Sequence, residues 1–416
     1  MVIQSSTLAS INPTTEELLA SFATATAAQV EAALSEALTG FAAWSRSGIA
    51  ERAERLRRAA AHLRQNQDHY ARLITLEMGK PISQAAAEIA KCARNCEFYG
   101  EHAERFLADQ PVRTDARDSY VAFDPLGVIL AVMPWNFPFW QVFRFAAPAL
   151  VAGNVAILKH SSNVPQCALA IEQVFRESGF PRGVFATLLL PSSGIPALIA
   201  DPRIQAVTLT GSDLAGAQIA EAAGRTLKKT VLELGGSDPF IVLEDADVRA
   251  AAEVAAVART QNTGQSCIAA KRFIVVADVA DEFERRFSET MASLRVGDPL
   301  DPETQVGPLA RADLRDDLGG QVRASVEQGA RVVIGGNRLP GRGCFFEPTI
   351  LADVAPSMPA WREETFGPVA ALVRAANAAE AIALANDSRY GLGANLWTTD
   401  LDRARLLARQ IEAGSV

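Results

Sequence analysis

From about residue 125 the sequence alternates between two patterns, and this alternation constrains the fold more than any other feature. Short apolar runs rich in β-branched residues occupy 127–133, 155–158, 184–190, 206–209 and 230–234. Between them, 139–151, 168–178, 196–200 and 214–223 carry apolar residues at helical spacing. A second series follows Gly235, with strands expected at 240–243, 273–276, 331–334, 369–373 and 394–397 and helices at 250–259, 279–294, 314–328 and 378–385. Strands separated by helices pair in parallel through crossovers. The pattern therefore predicts an α/β chain with mostly parallel sheets covered by helices on both faces. The first hundred residues differ, reading as amphipathic helices over 27–38, 49–65 and 83–107.

A chain of 416 residues exceeds the roughly 250–300 residues at which single cores stop growing. Two domains are expected, 1–234 and 235–408, with 409–416 left over. The net charge of −8 gives no basic face for phosphate backbones, so no nucleic-acid partner is expected. The start of the chain is polar and carries Pro13, unlike a secretory signal. The most apolar region, about 125–158, is interrupted by Pro134, Asn136, Pro138, Arg144, Pro148 and Asn154, so it reads as buried core rather than a membrane span. A cytoplasmic protein without a membrane partner is expected. The five cysteines are scattered, as reduced thiols are, and neither they nor the four histidines have metal-ligand spacing, so no metal is expected.

No G-x-G-x-x-G joins a strand to a helix. Gly391-x-Gly393 precedes a strand instead, and the glycines of 336–343 read as a surface turn. Thr210-Gly211-Ser212 follows a strand and opens a helix, so its N–H groups suit a pyrophosphate or, equally, a plain N-cap. Lys159 ends another strand at the same expected sheet edge, where it could meet ribose hydroxyls or only solvent.

Residues 261–267 (Gln-Asn-Thr-Gly-Gln-Ser-Cys) form a polar turn between a helix and a strand. A cysteine there is a poor core residue and a candidate nucleophile, whose thiol must be activated because the thiolate is the reactive form. A Cys-His hydrolase would need a base such as His160. Glu233, at a strand end before Gly235-Gly236, offers a carboxylate that could act as general base toward water.

Taken together, Pro134-Trp135-Asn136-Phe137-Pro138, Leu158-Lys159, Thr210-Gly211-Ser212, Glu233-Leu234-Gly235-Gly236, Gly264-Gln265-Ser266-Cys267 and Glu363-Glu364-Thr365-Phe366-Gly367-Pro368 resemble the aldehyde dehydrogenase superfamily. The resemblance implies a Rossmann-like nucleotide-binding domain without the glycine fingerprint, plus a second α/β catalytic domain. It implies that Cys267 attacks an aldehyde, that the Asn136 amide and the Cys267 N–H hold the oxyanion, and that a hydride leaves to nicotinamide to give a thioester. Glu233 then activates water. Glu364 and Phe366 would hold the nicotinamide end, Lys159 the adenine ribose and Ser212 the pyrophosphate, with Pro134, Trp135, Thr210, Gly211 and Gly235 also at the cofactor. Three residues after the lysine, Ser162 stands where many NAD-preferring members carry a Glu that would repel a 2′-phosphate. The expected cofactor is therefore NADP or NAD, with NADP accepted.

Residues 159–165 and 233–239 are similar to the bacterial succinate-semialdehyde dehydrogenase branch. Arg144, eight residues after Asn136, matches an arginine that binds a substrate carboxylate in that branch, which a guanidinium does through two parallel hydrogen bonds. Gln261 replaces a second arginine found in some members. Phe137 and Trp140 would wall the substrate. Ile268-Ala269-Ala270 supplies no second cysteine beside the nucleophile, so no local disulfide switch is expected. Members usually continue past the equivalent of Val416 with an oligomerisation segment; this segment is expected to begin at 409–416, with 108–124 as an oligomerisation hairpin and a homodimer or homotetramer as the assembly. An acylating enzyme that uses coenzyme A, a cysteine hydrolase and a non-catalytic binding protein are the competing readings.

Overall fold

The structure, a computed structural model, describes residues 7–416. The chain divides into two compact units. One comprises residues up to Ile11, Leu18–Glu77 and Ala85–Leu234; the other comprises Asn12–Glu17, Met78–Gln84 and Gly235–Val416.

In the first unit an antiparallel pair, β1 (Thr7–Ile11) and β2 (Leu18–Ala23), leads into α1 (Ala27–Trp44), α2 (Ile49–Gln65), α3 (Gln67–Met78) and α4 (Ile82–Phe106). A small antiparallel pair follows, β3 (Gln110–Pro111) and β4 (Tyr120–Val121). Then β5 (Val128–Met133), α5 (Trp140–Val151), β6 (Val155–His160), α6 (Pro165–Glu177), β7 (Phe185–Thr187), α7 (Ile195–Ala200), β8 (Ile204–Thr210), α8 (Asp213–Gly224) and β9 (Lys229–Glu233) alternate. The last five strands form a parallel sheet in the order β7-β6-β5-β8-β9. The winding direction reverses between β5 and β8. Loops leaving the carboxyl ends of these two neighbours diverge, which opens a crevice suited to a ligand.

Helix α5 is held at both ends. At its start the buried Glu88 carboxylate accepts the Phe139 and Trp140 N–H groups, each at 2.9 Å on one oxygen. At its end the Trp44 indole N–H and the Arg52 guanidinium donate to the Leu150 and Val151 carbonyls at 2.9 and 2.7 Å. An anion at the amino end and a cation at the carboxyl end both match the helix dipole.

The second unit contains β10 (Asp238–Val242), α9 (Val248–Thr260), β11 (Ala270–Val276), α10 (Ala277–Ala292), α11 (Ala312–Glu327), β12 (Arg331–Ile334), β13 (Thr349–Ala352), α12 (Pro359–Arg362), β14 (Val369–Ala375), α13 (Ala378–Asn386), β15 (Asn395–Trp397) and α14 (Leu401–Ala408). Its six strands run β12-β13-β14-β11-β10-β15, parallel except between β12 and β13. Phe240, Val242, Phe273 and Val275 pack into one core, while Ile241, Ile274 and Val276 pack into another. Successive side chains point to opposite faces, so both faces of this sheet are covered. Among the described residues no helix is long and apolar enough to cross a membrane.

Several elements depart from the sequence expectation. Strand β11 begins at Ala270 rather than 273, because Lys271 and Arg272 are buried and satisfied instead of ending the strand. Helix α3 follows α2 after a single intervening residue, Asn66, too short a break for periodicity to reveal a separate helix. Helix α6 begins at Pro165, not 168, since proline fits the first helical turn where its missing N–H costs nothing. The pair β1–β2 and the four-residue β13 are not among the strands that the sequence pattern predicts.

Replacing Glu88 with Ala leaves one buried and one partly buried N–H group without their acceptor and should lower stability by about 2–4 kcal/mol. Glu88→Gln, which keeps a carbonyl oxygen at the same place, should cost less than half of that. Urea denaturation of both variants checks this; equal losses would show that the carboxylate does not cap α5.

Candidate active site

In the first unit the expected residues gather at the carboxyl edge of the sheet. Lys159 and His160 end β6, Thr210 ends β8, Glu233 ends β9, and the 134–138 turn leaves β5. Asn136 is 5% exposed; Pro134, Trp135, Phe137 and Trp140 are half-buried. The Lys91 ammonium stands 3.8 Å from the centroid of the Trp140 ring. Arg144 donates from Nη2 to Thr210 Oγ1 at 3.1 Å and from Nη1 to Glu233 Oε2 at 3.4 Å. Its side chain and that of Glu233 are each more than a third exposed, so the ion pair contributes less than about 1 kcal/mol and is readily exchanged for another anion. These three residues border an open cavity of about 430 Å³ with Met133, Phe145 and Val231 as apolar wall.

The Thr210-Gly211-Ser212 turn is partly committed. The Gly211 N–H donates to the Glu233 carbonyl at 3.0 Å, and the Ser212 hydroxyl caps α8 by accepting the Ala215 N–H at 3.3 Å. The Ser212 O–H is left to donate outward. Ser162 is exposed.

Lys159 has a different character. It is 5% exposed, and among the described residues its ammonium has no hydrogen-bond or ion-pair partner. Burial pulls its pKa below the ordinary lysine value. A buried, unpaired cation at the carboxyl end of a parallel strand fits the hydroxyl-rich or anionic part of a nucleotide.

His160 is buried, and its ring is fully used. Its Nδ1 accepts the Ser161 N–H at 2.8 Å, so Nε2 carries the proton and donates to the Pro138 carbonyl at 2.9 Å. Burial pushes its pKa down to about 4. A neutral histidine with both nitrogens committed is a strut for the 134–138 turn, not the base a cysteine hydrolase needs.

In the second unit the residues collect at the amino edge of the sheet. Gly235 and Gly236 precede β10, Cys267 precedes β11, and Glu364 and Phe366 precede β14. Cys267 is half-buried, while Cys92, Cys96, Cys167 and Cys344 are buried. Its loop is an unusual one. Asn262, Thr263 and Gly264 take φ of 55°, 55° and 74°, a left-handed run that costs a β-branched residue dearly. Polar contacts fix it. Asn262 Nδ2 donates to the Gln265 carbonyl at 2.9 Å, the Gln265 side-chain oxygen accepts the Ala310 N–H at 2.9 Å, and Arg259 donates to the Gly264 carbonyl at 2.6 Å. A Cβ on Gly264 would lie 2.3 Å from the Gly367 carbonyl oxygen, and one on Gly236 would lie 2.4 Å from that of Cys267, so only glycine fits either place. Gln261 is exposed and ends α9. Among the described residues no cluster could hold a metal ion.

A model of the aldehyde dehydrogenase family matches residues 2–416. The chain belongs to the aldehyde dehydrogenase family. It is 54% identical over 98% of its length to a probable NADP(+) succinate-semialdehyde dehydrogenase of a Synechocystis species, covering 90% of that protein. It is 49% identical to the NAD(P)+ succinate semialdehyde dehydrogenase Sad of Escherichia coli, covering 98% of this chain and 88% of that one. Among solved structures it matches the succinic semialdehyde dehydrogenase of Streptococcus pyogenes in complex with NADP+, with a TM-score of 0.96, 37% identity, and 98% and 90% of the two chains covered.

Sequence reading of this aldehyde dehydrogenase missed the groups that hold its loops. Gly236 makes the close approach to the Cys267 carbonyl. Asp238, 3% exposed, accepts the Gly393 N–H at 3.1 Å. Arg272 donates to the Ser237, Leu384 and Ala385 carbonyls at 2.9–3.0 Å. Lys271 is fully buried beneath the cysteine loop, and burial pushes its ammonium down to about 8. The one available signal was Lys271-Arg272 standing against an apolar strand run, where two cations require built acceptors.

The depressed His160 pKa has a signed consequence. The unfolded chain takes up a proton near pH 6.5, whereas the folded one does so only near 4. Stability from this group is therefore complete above 6.5 and lost as pH falls toward 4, by up to about 3 kcal/mol. His160→Gln should flatten that part of the acid destabilisation, as measured by urea midpoints at pH 7 and 5. An unchanged pH dependence would show that His160 is protonated in the folded state.

Proposed function

We propose that this aldehyde dehydrogenase oxidises succinate semialdehyde to succinate with NADP or NAD as hydride acceptor. The reading is carried by Cys267, the one half-exposed thiol among the five, held on a rigid turn. The two relatives named above, both succinate-semialdehyde dehydrogenases, support the substrate.

In this reading the Cys267 thiolate adds to the aldehyde carbon, and the Asn136 amide and the Cys267 N–H stabilise the oxyanion that forms. When bound, the nicotinamide supplies the hydride acceptor. Lys159, Ser162, Thr210, Gly211 and Ser212 would hold the nucleotide's adenosine and phosphate portions. Glu364 and Phe366 would hold the nicotinamide end, beside Pro134, Trp135 and Gly235. The buried, unpaired ammonium of Lys159 supports this fit. Glu233 draws a proton from the water that cleaves the thioester, releasing the acid and regenerating the thiol. Arg144 takes the substrate's distal carboxylate, with Phe137 and Trp140 as walls and the exposed Gln261 farther out. Its weak pairing with Glu233 leaves the guanidinium open to such an exchange.

On this reading Cys267→Ala abolishes NAD(P)H formation from succinate semialdehyde. Arg144→Leu removes a charge-assisted contact and should raise KM for succinate semialdehyde by about 10–100-fold, while the KM for an uncharged aldehyde such as butanal changes by less than about threefold. Equal changes for both aldehydes would remove Arg144 from the substrate site. Ser162→Glu places a carboxylate against a 2′-phosphate and should lower kcat/KM for NADP by at least about tenfold with little change for NAD. Parallel loss with both cofactors would show that residue 162 does not face the ribose.

A further inference from the structure

Strand β11 carries a lysine in a place where lysines are rarely found. Every residue from Ala270 to Val276 is buried, and Lys271 is 0% exposed. An unsatisfied ammonium there would cost several kcal/mol, so its contacts have to compensate. Its Nζ lies 2.9 Å from the Ser266 carbonyl, 2.9 Å from the Cys267 carbonyl, 3.4 Å from that of Ala269 and 3.3 Å from Glu364 Oε1. Two other buried cations nearby are occupied differently. Arg259 donates to the Gly264 carbonyl, and Arg272 donates to the carbonyls of Ser237, Leu384 and Ala385. Lys271 thus joins the nucleophile's own backbone to the carboxylate of Glu364.

The second partner of Glu364 sharpens the arrangement. The Gly236 N–H donates to the same oxygen, Oε1, at 3.1 Å. One N–H donor and one ion-pair contact hold the same carboxylate oxygen, while Oε2 accepts no hydrogen bond from the described residues, and the side chain is 19% exposed. A carboxylate anchored through one oxygen presents the other in a set direction, as a site for ribose hydroxyls needs.

We propose that Lys271 is a positioning residue for cofactor binding: its ammonium anchors Oε1 of Glu364 so that Oε2 faces the ribose hydroxyls, while its remaining N–H groups brace the Ser266 and Cys267 carbonyls. The proposal rests on the reading that Glu364 binds the cofactor. The two parts of the role separate chemically. Gln at 271 keeps an amide donor for the loop carbonyls but has no charge for Glu364. Met has neither.

The test is a double-mutant cycle on the full chain, with Lys271→Gln, Glu364→Gln and the double variant, read as the KM for NADP+ and kcat at saturating succinate semialdehyde, with Kd for NADPH from fluorescence titration. Glu364→Gln should raise the cofactor KM and Kd about tenfold. Lys271→Gln should raise them about fivefold with kcat within about twofold of the parent, and should add less than about twofold in the Glu364→Gln background, because it acts through that carboxylate. Lys271→Met should lower kcat as well. Thermal melting of each variant reports folding; should the Gln variant not fold, Lys271→Met takes its place in the cycle, and Lys271→Arg, which keeps the charge, should leave the cofactor KM within about twofold of the parent. A Lys271→Gln variant with the parent's cofactor KM, or effects that simply multiply in the double variant, overturns the proposal. A Glu364→Gln variant that binds NADPH as the parent does overturns instead the reading of Glu364 on which it rests.

Discussion

A parallel strand with helices on both faces has no room for chemistry along its length. Both sheets obey this constraint, with side chains of β5, β6, β10 and β11 buried throughout. Groups that are to meet a ligand stand where strands begin or end, and the candidate residues do so. The constraint also sets how such residues are supported. A loop at the rim of a sheet has no ladder of its own, so side chains from neighbouring elements must satisfy its backbone. The Pro138 carbonyl accepts a hydrogen bond from His160, the α5 amino end meets Glu88, and the 261–267 loop is tied by Arg259, Gln265 and Lys271.

The two units use opposite rims. In the first, Lys159, Thr210 and Glu233 lie at carboxyl ends, where the direction of winding reverses between β5 and β8. In the second, Gly236, Cys267 and Glu364 lie before their strands, at amino ends. Here the close approach of Gly236 to the Cys267 carbonyl, possible only without a Cβ, draws the loops together and places Glu364 within reach of both Gly236 and Lys271. The general preference for carboxyl ends concerns diverging loops at a reversal of winding; a site made of interlocking loops and buried charges can use the other rim.

The buried charges around Cys267 are costly features with local functions. Lys271, Arg259, Arg272 and Asp238 are all nearly inaccessible, and most of their hydrogen bonds go to backbone carbonyls or N–H groups rather than to each other. Such bonds hold loop shape more than they add net stability, since apolar replacements of buried charges often cost little when volume is kept. A left-handed run at Asn262, Thr263 and Gly264 persists because this network over-determines it.

The sequence by itself determined the class and much of the chemistry. Alternating apolar runs and helical periods are satisfied by mostly parallel sheets with crossovers, and the ordered motifs from Pro134 to Pro368 mark the aldehyde dehydrogenase family. Position at a strand end, read from where periodicity stops, placed Glu233, Lys159 and Thr210. Tertiary structure decided what periodicity does not encode. Lys271 and Arg272 looked like the end of an apolar run and are instead inside the strand, because acceptors for them come from residues as distant as Ser237, Leu384 and Glu364. Likewise, nothing local in His160 or Glu88 announces a strut or a helix cap. The burial and bonding of a polar side chain depend on partners far along the chain, which only the folded arrangement brings within hydrogen-bond distance.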